Sequence, residues 1–342
     1  MDKPSKTRGI ITFIIAIIAV IVMITTSGLL GLILYLFAVV ISFLSIDKEN
    51  DNVIYNDQQH VYIDKTDGSY YISVTTLIHN YTNIFDSAFW SAYKALESLT
   101  DDVTFAALKK VLLTTKKFDP SILHKLSIDE SQFNTKREEI LQSYEDEKNK
   151  SCERGTKIHA EFENSMYQNP EKELKRYGLG GKFSVKKGHY RLETEKAVYP
   201  EVLISVKSRD GVVRVAGQID LLIKDGNDII IIDFKTNKKI DRKSYYNKST
   251  KRYECLKYPL NTIQDCNLMH YTLQLSMYAY LLQQINPDLN IKMLKLIHID
   301  HSNKVEEIEV EYMKKEVEVL LKHYKKQLLI KEELSKDTPI VY

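Results

Sequence analysis

The sequence predicts an α+β fold in which a small mixed β-sheet is flanked by helices. Aromatic and aliphatic residues recur at spacings of three and four from about Thr75 to Ser151, which is typical of helices. Beyond that stretch, short runs of Ile, Leu and Val are bounded by turn signals such as "RDG" and "KDGND", which is typical of strands. The 342 residues suffice for one large domain or two ordinary ones with a hydrophobic core.

The predicted elements of the second half follow one another closely. Three strands are expected first, then a helix, a strand pair and a closing amphipathic helix. Their predicted bounds are Glu193–Ile204, Val213–Ile223, Ile229–Lys235, Tyr271–Gln284, Ile291–Ile299, Val305–Tyr312 and Lys314–Leu334. We therefore expect a membrane segment (residues 1–45), a linker (46–70), a helical subdomain (71–150) and a core domain (151–342).

Composition excludes some classes of protein. With 48 Lys and Arg against 46 Asp and Glu, the formal charge is only +2, so any surface for nucleic acid must be local. The three cysteines, Cys152, Cys255 and Cys266, have no CxxC spacing. Their number and spacing argue against a disulfide framework and against a zinc ribbon.

The N-terminal region predicts a membrane segment, because residues 10–44 contain no charge and follow Lys3, Lys6 and Arg8. One helix over this run would extend about 50 Å, which exceeds a hydrocarbon core of about 30 Å. A hairpin broken at "TTSG" and a single tilted helix are both open, and a signal peptide would have a shorter apolar region. A hairpin would keep the rest of the chain on the cytoplasmic, reducing side, whereas a single span with its basic end inside would export it.

Three charged residues stand inside apolar strands: Asp220, Asp233 and Lys235. A two-residue turn at Asp225 and Gly226 would place Asp220 opposite Ile231, and a four-residue loop would place it opposite Asp233. Both registers put the two carboxylates on one face, and Lys235 shares that face through the period of two.

Two carboxylates about 5–7 Å apart repel each other unless a cation lies between them. Mg²⁺ or Mn²⁺ would suit Asp220, Asp233 and the backbone carbonyl of Phe234, because these ions take oxygen ligands. Lys235 could then orient or help to deprotonate an attacking water. The structural alternative is an ordinary ion pair between Asp220 and Lys235 at the margin of the sheet.

Two helical pairs could complete such a site. His159 lies in "RGTKIHAEFE", where Thr156 predicts a helix start, and a neutral imidazole there could be a third metal ligand. Gln274 and Tyr278 are four residues apart and share one helix face, from which they could hold a nucleotide backbone or brace a ligand. Read alone, His159 is more often structural, and the Gln274 and Tyr278 pair is more often packing at the edge of the core.

A basic and aromatic segment follows the charged strand. From Lys235 to Lys257 there are nine Lys or Arg residues against two acids, with Tyr245, Tyr246 and Tyr253 interleaved. Cations neutralise phosphates and aromatic rings stack on bases, so the segment suits single-stranded nucleic acid. A solvated basic loop is the alternative.

Taken together, His159, "AGQID", "IIDFKT" and "QLSMY" resemble, in order and spacing, the RecB-like branch of the PD-(D/E)XK nuclease superfamily. The layout is closest to mitochondrial genome maintenance exonucleases, because "YYISVTTLI" also matches their N-terminal part. The resemblance covers about Ser73 to Tyr312. It implies a restriction-endonuclease-like core, metal-dependent phosphodiester hydrolysis, metal ligation by His159, Asp220 and Asp233, and a catalytic role for Lys235.

Two features depart from the family pattern. Several relatives hold an iron–sulfur cluster with four cysteines, which the three cysteines here cannot supply, so no cluster is expected. The hydrophobic N-terminus is foreign to the family. Our prediction is a membrane-tethered, Mg²⁺- or Mn²⁺-dependent nuclease that acts on DNA, most simply as an exonuclease on single-stranded ends, with Gln274 and Tyr278 in its site. The alternatives are a non-catalytic nucleic-acid tether and an RNA-directed nuclease.

Overall fold

A computed structural model describes residues 46–47, 52–56, 59, 61–176, 183–186, 196–248 and 250–336. The predicted membrane segment, residues 1–45, lies outside them. Within the described part of the chain, none of the helices combines the length and the apolar character that crossing a membrane requires.

The strands of the described residues form one large sheet and one small hairpin. Their bounds are β1 (Ile46–Asp47), β2 (Val53–Asn56), β3 (Val61–Asp64), β4 (Tyr70–Ser73), β5 (Ser184–Val185), β6 (Ala197–Ser208), β7 (Arg214–Asp225), β8 (Asp228–Lys235), β9 (Tyr246–Asn247), β10 (Arg252–Tyr253), β11 (Asn290–Ile299) and β12 (Val305–Val310).

The helices of the described residues surround this sheet and build the region before it. Their bounds are α1 (Val74–His79), α2 (Ser87–Leu99), α3 (Asp102–Thr115), α4 (Ser121–Lys125), α5 (Glu130–Gln168), α6 (Pro170–Arg176), α7 (Asn267–Ile285) and α8 (Lys314–Lys336).

The large sheet is mixed, as predicted. Its order is β12, β11, β8, β7, β4, β3 and β2, with β6 paired to β7 as well. Strands β7 and β8 are antiparallel, whereas β8 with β11 and β4 with β7 are parallel. This mixed sheet with flanking helices fits the predicted restriction-endonuclease-like core.

The hairpin of β7 and β8 has the register that brings the two acids together. Leu221 pairs with Ile232, so the next residues outward are Asp220 and Asp233. This is the register predicted for a four-residue loop. The turn itself is shorter, because Asp225 also pairs with Asp228, and Gly226 supplies the positive φ of 63° that a two-residue turn needs.

Strand β7 has a break in its pairing near the acids. Strand β6 lies along one edge from Arg214 to Lys224. The other edge is shared, since β4 pairs with Val215 and Ala216 and β8 pairs from Leu221 onward. Helix α7 packs against the sheet, and every residue from Thr272 to Leu282 is buried, as expected of a helix in the interior.

The helical region before the sheet has a core of its own. Phe89, Leu96, Phe105, Leu112 and Phe133 pack together from helices α2, α3 and α5. Helix α5 is 39 residues long and extends to the sheet, where Phe162 and Met166 join a second cluster. A single helix therefore connects the two cores.

Two sequence predictions differ from this structure. The predicted helix start at Thr156 is wrong, because α5 begins after Asp129, whose side chain accepts a hydrogen bond from the backbone N–H of Gln132. Gly155 does not interrupt the helix, since one helical glycine costs only about 1 kcal/mol. The predicted boundary at residue 150 consequently lies inside α5.

The predicted linker, residues 46–70, contains strands β1 to β3. Val53 and Tyr62 of this segment are buried against Tyr71 and Ala216, so the segment extends the sheet. In β3 the buried residues Tyr62 and Asp64 alternate with partly buried ones, as in a strand with one covered face.

Candidate active site

Asp220 lies on β7 where the strand loses its neighbours on one edge. Its Oδ2 accepts a hydrogen bond of 2.7 Å from the backbone N–H of Phe234, which ties β7 to the end of β8. Burial raises the pKa of Asp220 to about 8, and the nearby charge of Asp233 acts in the same direction. A carboxyl group held in this way has a strong electrostatic reason to accept a cation.

Asp233 is the partner acid on β8 and is almost fully buried. Its Oδ1 accepts a hydrogen bond of 3.0 Å from Nε2 of Gln274. Its Oδ2 lies 2.7 Å from Nζ of Lys235 as an ion pair. Both carboxylate oxygens of Asp233 therefore have a partner in the site, Gln274 for one and Lys235 for the other.

Lys235 is held as a cation between several groups. Its Nζ donates a hydrogen bond of 3.1 Å to Oε1 of Gln274 and lies 4.6 Å from the ring centre of Tyr271. Burial disfavours its charge, but the carboxylates of Asp233 and Asp220 outweigh this effect and raise the pKa of Lys235 above its ordinary value. The lysine is thus an ammonium at neutral pH.

Gln274 and Tyr278 extend into the site from the middle of α7. Nε2 of Gln274 also donates a hydrogen bond of 3.2 Å to the hydroxyl of Tyr278. Gly217 on β7 permits this approach, because a Cβ at that position would lie 2.6 Å from Cε1 of Tyr278. The structure therefore brings the predicted pair to the two acids through a close contact of helix and strand.

His159 reaches the site from α5. Its Nδ1 lies 3.4 Å from Oε1 of Glu201 and 3.6 Å from Oδ1 of Asp220, and its Nε2 lies 3.3 Å from the carbonyl oxygen of Phe234. Burial lowers the pKa of His159, but the hydrogen bond to Glu201 and the charge of Asp220 outweigh burial and raise it to about 9.

Glu201 is the site residue that sequence reasoning missed. It lies on β6 between Pro200, which pairs with Leu221, and Val202, which pairs with Ile219, so it is opposite Asp220. Its φ of 48° is unusual for a residue other than glycine. The signal was a lone acid inside the apolar run "AVYPEVLISV", which is the same pattern that singled out Asp220.

The ligand atoms of His159, Glu201 and Asp220 all lie within 4.8 Å of one another. An imidazole nitrogen and two mutually repelling carboxylates form a donor set that suits a divalent cation. Asp233 is outside this compact group, because its two oxygens are held by Gln274 and Lys235. The residues present fit a metal ion.

A polar cluster borders the lysine side of the site. Nε2 of His270 lies 2.6 Å from Oδ1 of Asp265, whose Oδ2 accepts two hydrogen bonds from Asn83. His270 precedes Gln274 by four residues and so extends the same face of α7. Burial lowers the pKa of His79, whose ring is 6.4 Å from that of His270 and which also feels the charge of Lys235.

Part of the chain matches a known protein family. The family model described as "PD-(D/E)XK nuclease superfamily" matches residues 121–339, which include every site residue named from His159 to Tyr278. No curated protein shows significant similarity to the chain. The crystal structure titled "Crystal structure of SSO0001" aligns with 79% of this chain and 78% of its own, at 15% identity and a TM-score of 0.28. Because the family model covers more than half of the sequence, the chain belongs to the PD-(D/E)XK nuclease superfamily.

Proposed function

We propose that this protein is a metal-dependent nuclease that hydrolyses phosphodiester bonds in DNA. The observation that carries the proposal is the convergence of His159, Glu201 and Asp220 beside the ion pair of Asp233 and Lys235. Carboxylates gathered around a phosphate would repel it unless a cation lay between them. A protein that only bound nucleic acid would gain nothing from such a group of acids.

His159, Glu201 and Asp220 would hold Mg²⁺ or Mn²⁺, and the carboxylate of Asp233 and the carbonyl of Phe234 are the adjacent candidates for further ligation. Such an ion lowers the pKa of water and polarises a phosphoryl oxygen. Asp220 is already oriented for this role by its hydrogen bond from the backbone of Phe234.

Lys235 would offset negative charge on the phosphate that is attacked. Its raised pKa keeps the proton on Nζ, so of its predicted roles we retain charge stabilisation and orientation and set aside proton abstraction. Gln274 binds both Asp233 and Lys235, and Tyr278 binds Gln274, so these two residues would position the acid and the lysine.

The substrate is proposed from the segment between β8 and α7. Tyr245, Tyr246 and Tyr253 are exposed there among basic residues, which suits unpaired bases and a phosphate backbone. Single-stranded DNA ends are therefore the expected substrate, and exonuclease action the expected mode. Membership of the RecB-like branch is part of the same proposal and rests on the order and spacing of the motifs. The membrane tether and the cytoplasmic location also stay predictions.

The test is digestion of three substrates by the full chain, with Mg²⁺ or with EDTA. The substrates are an end-labelled linear single-stranded DNA, a circular single-stranded DNA and a linear RNA of matched sequence. We expect cleavage of the linear DNA with Mg²⁺ and none with EDTA. Cleavage of circles would replace the exonuclease mode with an endonuclease, and faster cleavage of RNA would replace DNA as the substrate. No cleavage of any substrate with Mg²⁺ or Mn²⁺ would reject the nuclease proposal.

Asp233→Asn is the variant that ties cleavage to the site. Asparagine keeps an oxygen for the hydrogen bond from Gln274 but loses the charge, so the rate should fall by at least about a hundredfold while the fold persists. Asp228→Asn, on the same strand but partly exposed and paired with Lys292, is the matched control and should cleave normally. A normal rate for Asp233→Asn would contradict the proposal.

A further inference from the structure

We infer that Trp90, Lys116 and Tyr245 form a binding site for an unpaired base, between the helical region and the segment that follows β8. The inference rests on the proposed nucleic-acid substrate and adds to it a place where the strand is held. That place is formed by residues outside the candidate metal site.

Lys116 joins rings from two parts of the molecule. Its Nζ lies 4.6 Å from the ring centre of Trp90 on α2 and 5.7 Å from that of Tyr245. Tyr245 is 56% exposed, and Trp90 is half-buried. Lys116 therefore adjoins the exposed ring of Tyr245 and the partly exposed ring of Trp90, which also contacts Phe89 and Tyr93. Aromatic rings beside an ammonium group are the combination that stacks a base and neutralises its phosphate.

Lys116 has a backbone conformation in which glycine is more usual than lysine. Lys116 is the C-cap of α3 in the left-handed conformation, with a φ of 51°, and its N–H donates to the carbonyl of Leu112. Glycine is the usual residue at such a helix end, because a side chain there costs free energy. The charge of a lysine favours the C-terminus of a helix, but the left-handed backbone favours glycine. The ring contacts, in contrast, depend on the lysine side chain.

Tyr245 is held at the start of a structured segment. The neighbouring Ser244 donates its backbone N–H to Oε1 of Gln264, 3.1 Å away, and the rings of Tyr246 and Tyr253 meet at 5.1 Å in the β9 and β10 hairpin. The segment starts at Lys235 and ends at α7, which carries Gln274. A nucleic-acid strand bound at Tyr245 would therefore contact a segment that connects β8 and α7, and these two elements carry residues of the candidate active site.

The ligand that fits is a single strand. Stacking needs the face of a base, and a duplex buries those faces between neighbouring base pairs. The ammonium of Lys116 adds a contact for phosphate that weakens with salt.

Trp90 provides a direct measurement because it is the only tryptophan of the 342 residues. The full chain in EDTA, where cleavage is not expected, is titrated with a short oligothymidylate while tryptophan emission is recorded. We expect quenching by the single strand, little quenching by the corresponding duplex and none by an abasic strand of equal charge.

Three variants separate base stacking from general charge. Tyr245→Ala should weaken binding by about 5- to 150-fold, and Lys116→Gly should lower the salt slope of the affinity by about 0.7 while preserving the helix end. Lys117→Ala removes a neighbouring exposed charge, and Tyr70→Ala removes a 65% exposed tyrosine from β4. Both controls should bind normally.

The outcomes separate this inference from the nuclease proposal. Quenching without cleavage in Mg²⁺ would support the base site and reject the nuclease. Cleavage with no change in Trp90 emission, or with equal quenching by the abasic strand, would reject the base site. Unchanged affinity in both Tyr245→Ala and Lys116→Gly would reject it as well.

Discussion

At the scale of single residues, the site depends on acids placed where a strand cannot be fully regular. Glu201 lies opposite Asp220 and has a positive φ, which costs about 1–3 kcal/mol for a residue that is not glycine. The Glu201 carboxylate lies 3.4 Å from Nδ1 of His159 and favours the protonated imidazole. We interpret the strained backbone as the means by which the Glu201 carboxylate comes close to His159 and Asp220.

Glu201→Gln tests this interpretation. Glutamine keeps the size of the side chain but removes the charge, so the affinity for Mg²⁺ measured by calorimetry should fall by about 10- to 100-fold. Glu309→Gln removes an equivalent charge from an exposed position on β12 and should leave the affinity unchanged. Equal Mg²⁺ affinities for Glu201→Gln and the wild type would show that Glu201 is not a ligand.

The sequence could identify most of these residues but not which of them contact one another. Asp220, Asp233 and Lys235 were recognisable because charges are rare inside apolar strands. Glu201 carried the same signal, yet only pairing between β6 and β7 shows that it meets Asp220. The spacing of the motifs likewise could not show that Gln274 binds Asp233 and Lys235 at once.

At the scale of elements, the contact of α7 with β7 determines how far the helix enters the site. A Cβ on Gly217 would lie 2.6 Å from Cε1 of Tyr278 and 3.2 Å from Cγ2 of Val74, both closer than ordinary contacts. The glycine in "AGQID" is therefore needed for packing, whereas Asp220 in the same motif supplies chemistry. Tyr278 depends on that glycine for its position beside Gln274.

Gly217→Ala should destabilise the fold by about 1–3 kcal/mol, because the new methyl group forces Tyr278 or Val74 to move. Urea unfolding measures the change. In a Tyr278→Ala background most of the cost should disappear, since the two positions are in contact. Gly155→Ala in α5, whose Cβ would lie at an ordinary contact distance of 3.5 Å from Oγ1 of Thr236, should be neutral or stabilising. A neutral Gly217→Ala variant would contradict this account of the contact.

Element boundaries show where sequence patterns are informative. The strands β7, β8 and β11 have close to their predicted bounds, since long apolar runs end at clear turn signals. Helix α5 was harder to predict because its 39 residues are mostly polar, and the Gly155 and Thr156 pair resembles a helix start. The hairpin register was open between two values, and the pairing of Asp225 with Asp228 selects one.

At the scale of the whole molecule, α5 unites the helical region, the sheet and the candidate site. Phe133 packs in the first core, Phe162 and Met166 pack in the second, and His159 lies one turn before Phe162. The position of His159 therefore depends on how both cores hold one helix. Such long-range pairing is what local periodicity cannot predict, and the pairing of β4 with β7 is a second example.

The affinity of the whole site for a cation should depend on pH. The pKa values of Asp220 and His159 are both raised above their ordinary values, so without a cation the pair retains protons to a higher pH than the free side chains do. A divalent cation must displace these protons, because it binds carboxylate and neutral imidazole. Cation binding should consequently release protons and become tighter as pH rises from 7 towards 9.

The most direct test of the central claim is calorimetric titration of the full chain with Mn²⁺ at pH 7 and pH 8.5, alongside Asp220→Asn. Asparagine retains an oxygen that can accept the N–H of Phe234, so the variant should fold. We predict binding by the wild type that is tighter at pH 8.5 and releases protons, and binding at least about tenfold weaker in Asp220→Asn. Absence of Mn²⁺ binding by the wild type, or equal affinity in Asp220→Asn, would contradict the account.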